Sequence, residues 1–210
     1  MENIGTIVLA TGALGTAAFG IVEALKWTKL SDAGFGTILK VLGPLTETLQ
    51  IAYGSDFKSL LRAQYKGEQK ELARVIRQGM RIGLLEENAS RIAQFLGMVN
   101  VEKLKDAARL VESGGELPSE LRNVLGRFEL AVDARIDAAL TLAQNHYVGA
   151  IRVSASIVAI LIALATGLYL GREYLFQALL VGIAAVPLAP IAKDLLTALQ
   201  SASKAIRTRP

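Results

Sequence analysis

The chain has 210 residues, of which 52% are hydrophobic and 20% charged, and it contains no cysteine. This charged fraction is too high for a transporter buried wholly in a membrane, and the absence of cysteine excludes disulfides and thiolate metal sites. The net charge of +4 comes mostly from residues 193–209. A charge excess at one edge is typical of a membrane boundary and not of a nucleic-acid-binding face, so we expect no nucleic-acid partner.

The first segment is apolar from Ile4 to Leu25 and carries one acid, Glu23. The residues before it are acidic rather than basic, and the apolar run is longer than the roughly 7–15 residues of a signal-peptide core. We therefore expect residues 1–27 to form a retained transmembrane helix. Small side chains recur every four residues along it and predict a helix-packing ridge, because they let two backbones approach closely in lipid; these residues are Gly12, Thr16, Gly20 and Ala24.

Residues 28–148 lack the alternation typical of strands, which predicts an all-helical cytoplasmic domain. Its first segment, Ala33 to Tyr53, is interpreted either as an interfacial helix or as an ordinary core helix, and Pro44 after Gly43 should break it. A second helix should begin at the capping pair Ser55-Asp56.

A third helix is expected over roughly Glu68 to Ile82, with an apolar face and a basic face that either contacts lipid phosphates or is solvated; the basic residues are Lys70, Arg74, Arg77 and Arg81. Helices over Glu86–Leu96 and Val101–Glu112 should follow, the second capped by Asn100. Gly114-Gly115 is the clearest break in the chain.

Pro118-Ser119 predicts the start of a long stalk helix. Apolar residues recur along it at three- and four-residue spacing, and Glu129, Asp133 and Asp137 share another face. No helix breaker separates the stalk from the uncharged stretch Val153 to Leu170, so one helix should run on into a membrane.

A second long apolar stretch follows the short segment Gly171–Glu173. We predict a transmembrane hairpin over residues 149–200, with a last helix kinked by Pro187 and Pro190, and a basic cytoplasmic tail over residues 201–210. The fold class is thus all-α: a polytopic membrane protein with three transmembrane helices and a helical cytoplasmic domain between the first and the second.

The Lys and Arg residues that flank the apolar segments predict the topology, because they favour the cytoplasmic side. The N-terminus should lie outside and the C-terminus in the cytoplasm. Four charges are expected at the inner membrane edge: Glu23, Arg152, Lys193 and Asp194. Either Glu23 pairs with Arg152 or Lys193, which lowers the cost of burying charge, or the long basic chains reach out to the interface.

Catalytic chemistry has little support in the sequence. His146 is the one histidine, and without cysteine it cannot build an ordinary zinc site. No phosphate-binding or dinucleotide-binding glycine pattern is present. We expect no catalytic residues, no metal and no cofactor. The polar residues of the second membrane helix, Ser154, Ser156 and Thr166, are candidates for a pore lining or another polar face.

Two resemblances bear on function. The layout of three spans with a cytoplasmic insert, together with the segment LLVGIAAVPLAP, resembles the MotA/TolQ/ExbB proton-channel family. That resemblance implies a pore lined by the last two helices of several subunits. The segments RFELAVDARIDAAL and APIAKDLLTALQSASKAIR are similar to uncharacterised bacterial three-span inner-membrane proteins, which implies a bacterial origin and no particular activity. The matching positions are Phe128, Asp133, Asp137, Ala189, Pro190, Asp194, Leu195 and Leu196.

The leading hypothesis is a non-enzymatic protein of the bacterial inner membrane that acts as an oligomeric scaffold or as a subunit of a larger membrane complex. Its partners would be membrane lipids and either copies of itself or other membrane subunits. The alternatives are an oligomeric proton or cation channel and, third, a membrane enzyme. The first two differ in whether the face carrying Ser154, Ser156 and Thr166 lines water or packs dry.

Overall fold

The computed structural model describes residues 2–24, 32–66 and 69–187. Several predicted features lie outside the described residues: the side chain of Glu23, residues Lys193 and Asp194, the kink at Pro190 and the basic tail 201–210.

The protein is 87% helical and has no strand among the residues that the structure describes, which confirms the all-helical prediction. The helices are α1 (Glu2–Ala24), α2 (Phe35–Leu42), α3 (Leu45–Tyr53), α4 (Phe57–Tyr65), α5 (Gln69–Gly83), α6 (Glu86–Leu96), α7 (Val101–Glu112) and α8 (Ser119–Leu170). A 3-10 turn over Arg172–Tyr174 leads into a last helix, α9, described over residues 175–187. The chain divides into a helical unit of residues 32–147 and an apolar unit of residues 1–31 and 148–210.

The helical unit has one hydrophobic core. The part of α8 that belongs to this unit contributes the predicted apolar stripe, in which Val124, Phe128, Val132 and Ile136 are buried. Helices α2 and α3 bury an apolar face in the same core, through Phe35, Ile38, Leu42, Leu45 and Leu49. The segment from Ala33 to Tyr53 therefore packs on the core of this unit through one face, and its predicted contact with a membrane surface stays a prediction. Its predicted break is confirmed, because α2 ends before Gly43 and α3 begins after Pro44.

Helices α3 and α5 pack closely because glycine lies where they meet. A Cβ atom added at Gly83 would collide with the carbonyl oxygen of Thr48, and one at Gly79 would stand 2.6 Å from Leu49 Cδ2.

The side chain of Asn88 fixes the connection between α5 and α6. Its Nδ2 donates to the Gly83 carbonyl at 2.7 Å and its Oδ1 accepts from the Leu85 N–H at 3.0 Å. This buried amide is thus paired on both sides, as burial requires.

The Asn100 cap and the Gly114-Gly115 break are present as predicted, whereas the predicted capping bond of Asp56 is not. Asn100 caps α7, with its Oδ1 accepting from the Lys103 N–H at 3.0 Å. The break at Gly114-Gly115 separates α7 from α8 as expected, and Gly114 has a φ of +69°. Asp56 occupies the N-cap position of α4, but its side chain makes no capping hydrogen bond.

The prediction of three membrane spans is not confirmed by the described residues. Helix α8 alone among them is long and apolar enough to cross a membrane. In α1 the described apolar stretch runs only from Ala10 to Val22. Helix α9 is described over 175–187.

Candidate functional site

The distal half of α8 exposes a strongly apolar surface. Only 17% of its most apolar 18-residue window is buried, whereas the core helix of a soluble protein buries such a window. Val153, Ile157, Leu161 and Leu168 are between 54% and 61% exposed and lie four or seven residues apart. They form one continuous apolar face, which we call the α8 outer face. Leaving it in water would cost about 25 cal/mol for every Å².

The opposite side of this half of α8 is made of small residues. Ala155, Ala159, Ala163 and Gly167 follow one another every four residues and are all buried. This spacing places them in one row along the helix. Such a row lets a second helix approach to backbone contact, the usual form of helix packing in lipid.

Helix α9 packs on that row with small residues of its own. A Cβ atom added at Gly182 would stand 3.0 Å from both the Cα of Ile160 and the Cβ of Ala163. Nearer the turn, a Cβ atom at Gly167 would lie 2.7 Å from the Cβ of Ala178. The two helices therefore form a tight hairpin, and a side chain larger than hydrogen at either glycine would force them apart.

Helix α1 completes the core of the apolar unit. Its Ala18 and Val22 are buried in one cluster with Ala155, Ala159, Ala185 and Val186. The buried face of α1 runs through Thr11, Gly12, Gly15, Ala18 and Val22.

The ridge predicted on α1 is mostly turned away from this contact. Gly12 is buried, but Thr16, Gly20 and Ala24 are exposed, and a Cβ atom at Gly20 would meet nothing within 4 Å. The ridge remains a prediction. Because most of it is exposed within this chain, the helix that it would contact belongs to a second chain. The packing face was missed because small residues occur all round this helix, so that four-residue spacing alone does not identify the buried side.

Two of the three polar residues predicted to line a pore or form another polar face donate hydrogen bonds within α8. The hydroxyl of Ser156 donates to the Arg152 carbonyl at 2.9 Å, and that of Thr166 donates to the Ile162 carbonyl at 2.9 Å. Each hydrogen therefore stays bonded to its own helix, four residues back. Ser154 is half-buried and Thr166 is exposed.

Of the four charges predicted at the inner membrane edge, Arg152 has a described side chain, and it is exposed. The pairing of Glu23 with Arg152 or Lys193 stays a prediction, since its other members lie outside the described side chains. His146 is also exposed. Over the described ranges, no group of three His, Asp or Glu side chains is placed to hold a metal ion.

The helical unit joins α5 to α8 by two ion pairs that sequence reasoning missed. Arg77 Nε lies 2.6 Å from Asp133 Oδ1, and Arg81 Nε lies 2.9 Å from Glu129 Oε1. Residue numbers rise by four on one helix and fall by four on the other, so the helices run antiparallel. The sequence shows four-residue spacing both in the basic residues of α5 and in the acidic residues of α8. It does not indicate that these two faces pack against each other.

Both ends of the helical unit lie close together. Asp32 Oδ1 is 3.4 Å from Lys66 Nζ, and a Cβ atom at Gly34 would collide with the Ala143 carbonyl oxygen and stand 2.7 Å from the hydroxyl of Tyr65. Burial raises the pKa of Tyr65, and Tyr147 and Asp32 add to the effect. The start of the unit and its last residues on α8 thus meet around Tyr65.

Comparison with protein-family models, with curated proteins and with solved structures finds no match for this chain.

Proposed function

We propose that the protein is a three-span membrane protein that serves, without enzymatic activity, as an oligomeric scaffold or as a subunit of a larger complex in a bacterial inner membrane. The observation that carries this proposal is the α8 outer face, because a helix that leaves Val153, Ile157, Leu161 and Leu168 exposed needs an apolar solvent. Lipid supplies it.

The arrangement of the helical unit supports the same topology. Its first residues and its last residues meet around Tyr65, so the chain enters and leaves this unit at one end. Both flanking apolar segments can then enter the same membrane. The Lys and Arg residues of the short flanks favour a cytoplasmic helical unit and an external Gly171–Glu173 turn.

The surface of the helical unit supports a scaffold. Ile82 and Leu130 are 54% and 71% exposed, and each is the chain neighbour of a member of the Arg81–Glu129 ion pair. Exposed apolar patches rimmed by polar residues mark surfaces that bind other proteins, and these two side chains together with the ion pair would form the centre and rim of such a patch. We propose this surface, defined by Ile82, Arg81, Glu129 and Leu130, as a contact with another copy or another subunit.

A scaffold is preferred over a channel because the hydroxyls of Ser156 and Thr166 are bonded within α8. A water-filled path needs polar groups that can turn toward the pore. Hydroxyls bonded to carbonyls of their own helix need no water and therefore suit a dry interface. An enzyme is disfavoured because His146, the one histidine, is exposed at the end of the helical unit.

The test is to extract the full chain in native lipid, measure the mass of the assembly, and then measure ion flux after reconstitution in vesicles. We expect an assembly larger than one chain and no proton or sodium flux above that of empty vesicles. Leu130→Glu should reduce the mass, whereas Thr141→Glu, at another exposed position of α8, should not. A monomeric protein would contradict the scaffold, and a flux abolished by Thr166→Val would favour the channel.

A further inference from the structure

A cavity of about 330 Å³ lies between α1 and the α8–α9 hairpin, within the apolar unit. This volume lies in the range of roughly 300–1,000 Å³ found for small-molecule sites. Small residues from all three helices leave the space open: Ala10 from α1, Ala163 and Gly167 from α8, and Ala178 from α9. A larger side chain at any of these positions would occupy it.

The floor of the cavity suits an apolar chain and not water or an ion. Leu14 and Val181 complete its walls, and the hydroxyl of Thr166, which also lines it, already donates to the Ile162 carbonyl. A buried water needs about two to four polar partners, and this floor does not offer them. An occupant of the floor must therefore be hydrocarbon.

The mouth of the cavity has the opposite character. We use this name for the lining nearest the hairpin turn, which includes Tyr174, 44% exposed, and Gln177, also exposed. Arg172 lies two residues before Tyr174 in the same turn and is also exposed. A phenol hydroxyl, an amide and a guanidinium can bind ester and phosphate oxygens. From Ala163 to Leu170 the helix rises about 10 Å at 1.5 Å per residue, so the apolar floor and the polar mouth are separated along the direction of a lipid tail.

We propose that this cavity is a binding site for one membrane phospholipid, with an acyl chain between α1 and the hairpin and its phosphate at Arg172. The inference rests on the proposed membrane location. It adds one specifically bound lipid to that location. This lipid is distinct from the lipids that surround the α8 outer face. The lipid would join α1 to the hairpin where side chains leave the contact unfilled.

The experiment uses the full chain in vesicles of phosphatidylethanolamine and phosphatidylglycerol that contain a photoactivatable phosphatidylglycerol, with a diazirine in its acyl chain. After illumination, mass spectrometry maps the lipid adducts. We expect adducts on residues 163–181 at several times the yield found at Ile157 and Val153 of the outer face. Thr166→Phe fills the cavity and should lower this yield to that of the outer face. Leu161→Phe adds the same bulk on the outer face and should leave it unchanged. Arg172→Gln should remove the preference for phosphatidylglycerol over a photoactivatable phosphatidylethanolamine.

Three outcomes would overturn the inference, and they are distinguishable. Equal adduct yields along α8 would reject the site while leaving the membrane location intact. A Thr166→Cys chain that forms disulfide-linked dimers and takes no adduct would show that a second copy fills the cavity. A full chain that fails to float with the vesicles would remove the proposed function together with the site.

Discussion

Arg77 Nε donates to Asp133 Oδ1 across 2.6 Å and so ties the middle of α5 to the long helix α8. Both side chains are more than 40% exposed, and solvent therefore screens the attraction. The pair fixes the register of the two helices more than it stabilises the fold.

This pair predicts a small coupling energy. A double-mutant cycle of Arg77→Gln and Asp133→Asn should give a coupling of about 0.2–1 kcal/mol in the free energy of unfolding, decreasing with added salt. The cycle needs the free energy of unfolding of the wild type, of each single variant and of the double variant. Thermal or denaturant unfolding of the full chain measures all four. No measurable coupling at low salt would mean that the two residues do not form the pair.

The hairpin predicts a larger effect at Gly182. Gly182→Leu would place a side chain against the backbone of Ile160, and overpacking of this kind costs about 1–3 kcal/mol. Thermal unfolding in detergent should show the loss. A matched control is Gly149→Ala in α8, where an added Cβ meets nothing within 4 Å; it should stabilise by about 0.5–1 kcal/mol through helix propensity. Equal melting temperatures for Gly182→Leu and the wild type would contradict the close packing.

The exposed ridge of α1 gives a prediction of a different kind. Gly20→Leu meets open space within the chain, so it should not destabilise a detergent-isolated monomer and should stabilise it by about 0.5–1 kcal/mol through helix propensity. If Gly12, Thr16, Gly20 and Ala24 contact a second chain, the same variant should lower the mass of the assembly in native lipid, because the backbones can no longer approach. Unchanged mass in lipid would assign the ridge to the lipid surface.

Tyr53 provides a pH dependence. Its hydroxyl donates to the Val75 carbonyl at 2.7 Å, and burial raises its pKa, with Arg74 opposing the shift. A raised folded pKa means that the stabilising contribution is complete below the unfolded pKa of about 10 and is lost as the pH rises through the folded pKa. The stability gap between the wild type and Tyr53→Phe should therefore be constant near neutral pH and narrow in alkaline solution. Thermal unfolding as a function of pH measures it. Tyr169→Phe, at a 90% exposed position, serves as the control. A gap that persists unchanged at high pH would reject this account.

Local features of the fold were predictable because they depend on residues adjacent in sequence. The Gly43-Pro44 break, the Asn100 cap and the bounds of α6 and α7 agree with the structure. The failures concern relations between helices. Sequence spacing showed a basic face on α5 and an acidic face on α8 but not that Arg81 meets Glu129, since that depends on how both helices pack on a shared core.

The apolar unit was harder to predict for a related reason. Every face of α1 carries small or apolar residues, so four-residue spacing alone selected Gly20 when the chain itself buries Ala18. In lipid the outer surface is as apolar as the interior, and the pattern that distinguishes inside from outside in water is lost. The row Ala155, Ala159, Ala163 and Gly167 on α8 was present in the sequence at the same spacing and was not recognised.

The central claim is that α8 crosses a membrane, and site-directed labelling in this cysteine-free chain tests it most directly. Single cysteines at Gly114, Ile157 and Arg172 would be exposed to a membrane-impermeant thiol reagent in sealed, right-side-out vesicles, and again after the vesicles are opened. The account predicts that Arg172→Cys is labelled from outside, that Gly114→Cys is labelled only after opening, and that Ile157→Cys is labelled in neither case. Labelling of Ile157→Cys in intact vesicles, or of Gly114→Cys and Arg172→Cys from the same side, would contradict it.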